Sequence, residues 1–417
     1  MSRLLTDRLR FEDVVRQHSG RVLATLIGQF RDLGLAEESL QDAWLLAAEK
    51  WPVDGWPERP EGWVYTVAHR RALDRLRRER SRRQRHQDAH ELEELHELAE
   101  LDRREERWSS GVDDDRLRLI FTCCHPVLDV ESRLALTLRS VAWLTTDEIA
   151  SAFGVPVSTM SQRLVRAKHR IKTEGVPYEV PVGHQLPDRV DAVLRVVYLV
   201  FNEAYLSDKP SEPIRVDLAA EAIRLGRLLV ELMPDEPEAF GLLALMLSQH
   251  ARSPARFDDA GNLVLLEHQD RSTWIHAMID EASALIERAL RRQVLGPYQL
   301  QAAIAARHSE APAWEATDWA EIASLYELLA SIDPSPVVAI NRAVAVGFAS
   351  GPADGLAAID RIPAHRMPRP HLLHAARGEF LLKLNRRAEA IDEFDRALSL
   401  VVSDAERRHL ERRRSFA

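Results

Sequence analysis

The sequence predicts an all-α protein, with two small helical domains followed by a long run of stacked helices. Three observations predict it. Apolar residues recur with helical period along nearly the whole chain, and no alternating strand pattern persists. Residues 145–172 read as two short helices joined by a tight turn. Near the C-terminus, residues 374–401 carry the small and aromatic positions of a helical repeat.

Taken in order, the first informative block is AEESLQDAW, residues 36–44, an acidic helix with Leu40 and Trp44 on one face. Next comes WVYTVAHRRALDRLRRER, residues 63–80, in which Trp63, Val67, Ala68, Leu73 and Leu76 form an apolar stripe. From Arg70 to Arg85 nine arginines face only Asp74 and Glu79. Such a stripe attracts phosphates, and the neighbouring Trp63 and Tyr65 could stack on unpaired bases. The same pattern also fits a core tryptophan with a solvated basic face. Residues 88–115 then carry twelve acids against three arginines, as a tether between domains or as a segment that mimics nucleic acid.

Cys123, Cys124 and His125 form a soft-ligand cluster. Adjacent cysteines seldom share one tetrahedral zinc, and no second Cys/His pair lies at suitable spacing. The plainer reading is two small buried residues closing a helix that Pro126 stops, so no metal site is assigned.

In residues 145–172, Thr145 and Glu148 stand at capping-box spacing. Gly154 can end the first helix in a left-handed conformation, and Pro156 is tolerated in the first turn of the second. Met160, Leu164, Ala167 and Ile171 fall on an inner face. Ser158, Thr159, Ser161, Gln162, Arg163 and Arg166 are left outside, a set suited to the DNA major groove. An ordinary helical hairpin would read similarly.

From about Leu186 amphipathic helices follow one another with short turns. In the last of them, Gly378, Ala390, Phe394 and Ala397 resemble a tetratricopeptide repeat, with a poorer copy at residues 337–361. Solenoids of this kind offer a concave groove and a rigid platform. Asn202 and Glu203 lie in an otherwise apolar helix and read as a polar contact between helices, or as a small ligand site.

A chain of 417 residues exceeds one core, so two or three domains are expected. The net charge of −9 conceals the division: residues 1–175 hold 29 Lys and Arg against 30 Asp and Glu, and the rest hold 27 against 35. Basic charge is local, at residues 70–85 and 163–172. Two adjacent cysteines exclude a disulfide framework. No apolar run reaches a membrane span and no signal-peptide pattern opens the chain, so a cytoplasmic protein without membrane contact is expected. Phosphate loops and nucleophile elbows are absent from the sequence, so neither an enzyme nor a cofactor is expected.

Together these blocks resemble the extracytoplasmic-function sigma factors of the sigma-70 family. AEESLQDAW is similar to that family's polymerase-binding helix, with Ala36, Glu37, Glu38, Gln41, Asp42 and Trp44 matching. In residues 63–78, Trp63, Ala68, Asp74, Arg77 and Arg78 match its promoter-melting helix, and His69 replaces the usual Asn. VPVSTMSQRLVRAK resembles its region 4 helix, with Ser161 in place of the usual Lys.

The resemblance implies sigma region 2 at residues 1–87, an acidic linker at 88–112, sigma region 4 at 113–175 and a tetratricopeptide-like regulatory domain at 186–417. VYLVFNEAYL, residues 197–206, and GPYQLQAAIAA, residues 296–306, look like blocks of the extension carried by one branch of the family. Implied partners are core RNA polymerase, through its β′ coiled coil and β flap, promoter DNA, and a protein partner of the C-terminal domain. By resemblance, Leu40, Gln41, Asp42 and Trp44 would bind polymerase. Trp63, Tyr65, His69, Arg70, Arg75, Arg77 and Arg78 would hold the −10 strand. Ser158, Thr159, Ser161, Gln162, Arg163 and Arg166 would read the −35 duplex. The competing reading is an operator-binding helix-turn-helix regulator with a repeat-built sensor.

Overall fold

The computed structural model describes residues 2–84, 112–205, 215–258, 262–363, 370–401 and 404–417. Among them the fold is all-α, with eighteen α-helices and a single isolated antiparallel bridge between Phe257 and Leu263. The chain divides into two compact units, Met1–Leu199 and Val200–Ala417. Most of the acidic segment read as a linker lies outside the described residues.

The first unit opens with α1 (Ser2–Phe30), α2 (Leu33–Asp54) and α3 (Pro60–Gln84). Asp32 caps α2 by accepting from the Leu35 amide at 3.0 Å. Leu23, Leu26, Leu40, Ala47 and Trp51 are buried between these helices. Trp44 and Trp51 meet Phe11 edge-on at ring separations of 5.9 and 5.7 Å.

Beyond the undescribed segment come α4 (Val112–Cys123), α5 (Val130–Ser140), α6 (Thr146–Ala152) and α7 (Val157–Thr173). Helix α4 packs against α1. The capping box at Thr145 and Glu148 forms in both directions, and Gly154 turns the chain at φ +60°. Met160, Leu164, Ala167 and Ile171 are buried along α7, at the period the sequence carries. Cys123 and Cys124 end α4 in the interior. Burial pushes both thiols up, that of Cys124 to about 11.

The second unit takes in the end of α8 (Leu186–Glu203) and continues through α9 (Val216–Leu232), α10 (Pro237–His250), α11 (His276–Leu290) and α12 (Pro297–Glu310). Then follow α13 (Trp319–Ile332), α14 (Pro336–Ser350), α15 (Pro352–Ile359), α16 (Pro370–Lys383), α17 (Arg387–Leu400) and α18 (Asp404–Ser415).

Helix α10 is apolar nearly all round because it is wrapped by α9, α11 and α12. Helices α16 and α17 form a tight hairpin with Ala390, Phe394 and Ala397 fully buried, and Gly378 lies against the Phe394 ring. The preceding hairpin, α14 and α15, leaves Gly347 and Gly355 side by side. Phe380 of α16 fills the hollow, and a Cβ at Gly355 would meet its ring at 2.6 Å.

Candidate nucleic-acid interface

Helix α7 presents the site most completely. Its buried stripe turns Ser158, Thr159, Ser161, Gln162 and Arg166 to solvent, and Val165, His169 and Arg170 extend that face. Residues at i, i+3 and i+4 share a helix face, so the side chains form one strip. Arg166 donates to Gln162 Oε1 at 3.3 Å. Arg163 sits half-buried at the edge of the strip and pairs with Glu131 of α5 at 2.6 Å. A short, capped first helix behind the second gives the strip a rigid support.

Helix α3 presents a different balance. Arg70, Arg71, Arg77 and Arg78 are exposed on it, and Trp63 is half-buried. Tyr65 and His69 face inward, 7% and 2% exposed, with the His69 ring 5.3 Å from Phe30. The buried positions are Val64, Tyr65, Ala68, Ala72 and Leu73, so the inner stripe is rotated from the one read off the apolar residues alone. Arg75 is held by Asp42 of α2 at 2.8 Å and by Glu38. This ties a residue of the −10 set to one of the polymerase-binding set.

On α2, Leu40 and Trp44 belong to the interior, Asp42 is half-buried and Gln41 is exposed. The outer face of this helix consists of Glu38, Gln41, Leu45 and Glu49, with Leu45 66% exposed. Leu45 is thus an apolar side chain left in water between acids and an amide, which the family motif does not mark. Its signal was the 3–4–4 spacing of those four residues.

Glu37, one turn earlier, is 3% exposed. It accepts from Arg139 Nε of α5 at 2.9 Å and is ion-paired with Lys168 of α7. Lys172 of α7 pairs with Asp32 at 2.9 Å, and Arg16 of α1 pairs with Glu148 at 2.8 Å. The hydroxyl of Tyr178 lies 2.9 Å from both the Ala24 and Asp115 carbonyls. The two groups of helices in the first unit are thus bonded together over the acidic helix.

Among the described residues no group of three His, Cys, Asp or Glu side chains could hold a metal ion. No described helix is long and apolar enough to cross a membrane.

Three stretches of the chain match known protein families. Residues 14–82 match Sigma-70 region 2, and residues 118–171 match Sigma-70, region 4. Residues 189–290 match a family of unknown function (DUF6596). An uncharacterized protein of Rhizobium meliloti (strain 1021) is 43% identical over 391 residues, which span 93% of this chain and 90% of that protein. With a region 2 bundle, a region 4 helix-turn-helix and a further helical unit in one polypeptide, the chain belongs to the sigma-70 family as an extracytoplasmic-function-like RNA polymerase sigma factor with a C-terminal extension.

Proposed function

We propose that this sigma factor directs core polymerase to bipartite −35/−10 promoters through three surfaces. The outer face of α2, centred on Gln41 and Leu45, docks on the β′ coiled coil, with Leu40 and Trp44 supporting it from within. The exposed arginines of α3, Arg70, Arg77 and Arg78, hold the melted −10 strand. Helix α7 enters the −35 major groove with Ser158, Thr159, Ser161 and Gln162 toward the bases and Arg163 and Arg166 toward the phosphates. The chemistry of transcription belongs to the polymerase, and this subunit supplies recognition. The observation that carries the reading is the exposed set Ser158, Thr159, Ser161, Gln162 and Arg166 on α7, backed by a buried apolar stripe.

The functional modules in this reading are residues 1–87, 113–175 and 186–417. Elements named −10 and −35 lie 25 base pairs apart, about 85 Å at 3.4 Å per step. Arg75 of α3 and Lys168 of α7 meet α2 at Asp42 and Glu37, only about 7.5 Å apart along that helix. The ion pairs of Glu37 to α5 and α7 therefore belong to a closed state, and engaging both elements requires region 4 to leave region 2. The C-terminal unit is a rigid platform suited to bracing the opened arrangement.

Mixing the full chain with core polymerase and a bipartite promoter tests the reading. Co-elution with core and promoter-specific transcripts are expected. Binding to a duplex operator without affinity for core would instead make the chain a repressor-type regulator.

A further inference from the structure

The second unit contains three arginines that gather without an ion pair among the described residues. Arg252 follows α10, Arg256 closes the turn at Ser253–Ala255, and Arg271 opens the turn at Arg271–Thr273. The carrying segments are held together by a small core of Ala251, Trp274 and Ile279, and by the Ile275 amide donating to the Ala251 carbonyl at 2.8 Å. The cluster is therefore built into the fold.

Each guanidinium is only partly used. Arg271 donates from one terminal nitrogen to the His308 and Ala311 carbonyls, both at 2.6 Å, which closes the end of α12. Its other terminal nitrogen is buried and has no partner among the described residues. Arg256 stacks on the Tyr205 ring at 4.9 Å, and its Nε is buried and likewise unpartnered. The Arg252 guanidinium makes neither hydrogen bond nor ion pair there, and its pKa is pushed down to about 10 by burial and by the charges of Arg256 and Arg271.

Among the described residues no carboxylate forms an ion pair with the cluster. Tyr205 is hydrogen-bonded to His250 Nδ1 at 2.7 Å, and burial raises its phenol to about 12, so it stays neutral. His308 is pushed down to about 4, by burial and by Arg252 and Arg271. Glu406 acts on Arg256 and Glu315 on Arg271 through their charge; Glu406 also lies 3.3 Å from His371 Nε2, and Glu315 is exposed.

Like charges gathered in a poorly solvated place repel one another, and unmade buried hydrogen bonds add to the cost. A fold that sustains both is completed by a ligand with the opposite charge and several acceptors. We propose that Arg252, Arg256 and Arg271 form a binding site for a phosphate group, free or carried by a small molecule. The guanidinium fork matches tetrahedral oxyanions bidentately, and a charge near −2 suits three cations better than a single carboxylate does. The site belongs to the second unit and does not depend on the promoter reading above.

Thermal unfolding and calorimetry of the full chain with inorganic phosphate, pyrophosphate, glucose 6-phosphate and acetate, at ionic strength matched with sodium chloride, test the site. Phosphate-type anions should give a saturable calorimetric isotherm and raise the second unit's Tm with the logarithm of their concentration, by roughly 5–10 °C at a hundredfold excess over Kd. Pyrophosphate or glucose 6-phosphate exceeding inorganic phosphate marks a carried group, and the reverse order marks the free ion. R252Q should lower affinity at least tenfold and raise the ligand-free Tm by relieving repulsion. R252K, which retains the charge without the fork, serves as the second variant and should bind more weakly than wild type. Equal responses to acetate and phosphate, or the same phosphate response in wild type and R252Q, would overturn the site.

Discussion

Arg139 of α5 donates from Nε to Glu37 of α2 at 2.9 Å, joining side chains 102 residues apart in sequence at a carboxylate almost sealed from water. Glu37 also takes the Lys168 ammonium, so one acid holds α5 and α7 against the acidic helix.

Glu37→Gln should therefore loosen the closed first unit. Breaking a buried ion pair typically costs about 3–5 kcal/mol, and the lower end applies here because Lys168 keeps part of its surface in water. Urea titration gives the stability, and small-angle scattering gives the expansion. An unchanged midpoint together with an unchanged radius of gyration would remove Glu37 as the tie.

Trp44 and Leu45 are neighbours with opposite expected phenotypes. Trp44 is 6% exposed among aromatic rings, so Trp44→Ala should cost about 3–5 kcal/mol of stability. Leu45→Asp should leave stability within about 0.5 kcal/mol and weaken binding to core polymerase tenfold or more. Wild-type affinity in the Leu45 variant would move the docking face off α2.

On α7, Arg166→Ala should weaken binding to all sequences alike and reduce the salt slope by about one. Gln162→Ala should change the preference at a −35 base. Because Arg166 donates to Gln162, the Gln162 variant also frees Arg166, and a double-mutant cycle separates the two effects. A Gln162 variant that selects promoters as wild type does would place another face of α7 in the groove.

The depressed pKa of His308 ties stability of the second unit to pH. The unfolded imidazole takes up a proton near 6.5 and the folded one only near 4, so the unfolded chain binds more protons between these values. Stability should fall as pH drops through that window, with a shallower slope in His308→Gln. Identical slopes would show that His308 is not the group responsible.

Cys123 and Cys124 should resist iodoacetamide at pH 8 until denaturant is added, since burial holds both as neutral thiols. Mass spectrometry with and without urea counts the adducts, and rapid labelling of the native chain would mean that α4 opens readily.

What was legible in the sequence follows how local each signal is. The turn at Gly154 and the cap at Thr145 involve residues within one or two helical turns, so the α6–α7 pair was readable, as was the inner face of α7. On α3 the buried stripe was misplaced by part of a turn. Its register is set by α1 and α2, and Tyr65 and His69 carry no local mark of burial. The same holds for Trp44, which packs against the rings of Phe11 and Trp51. The arginine cluster was invisible for a stronger reason: residues 252, 256 and 271 meet only because separate turns fold onto one small core.

The seating of Phe380 in the hollow left by Gly347 and Gly355 has a practical consequence for dissecting the molecule. A fragment ending between α15 and α16 would uncover an aromatic-sized notch on one piece and strand a bare ring on the other. A cut ahead of Pro336 is no safer than that one, because Val338, Ala345 and Phe348 of α14 cover Ile322, Leu329 and Trp319 of α13.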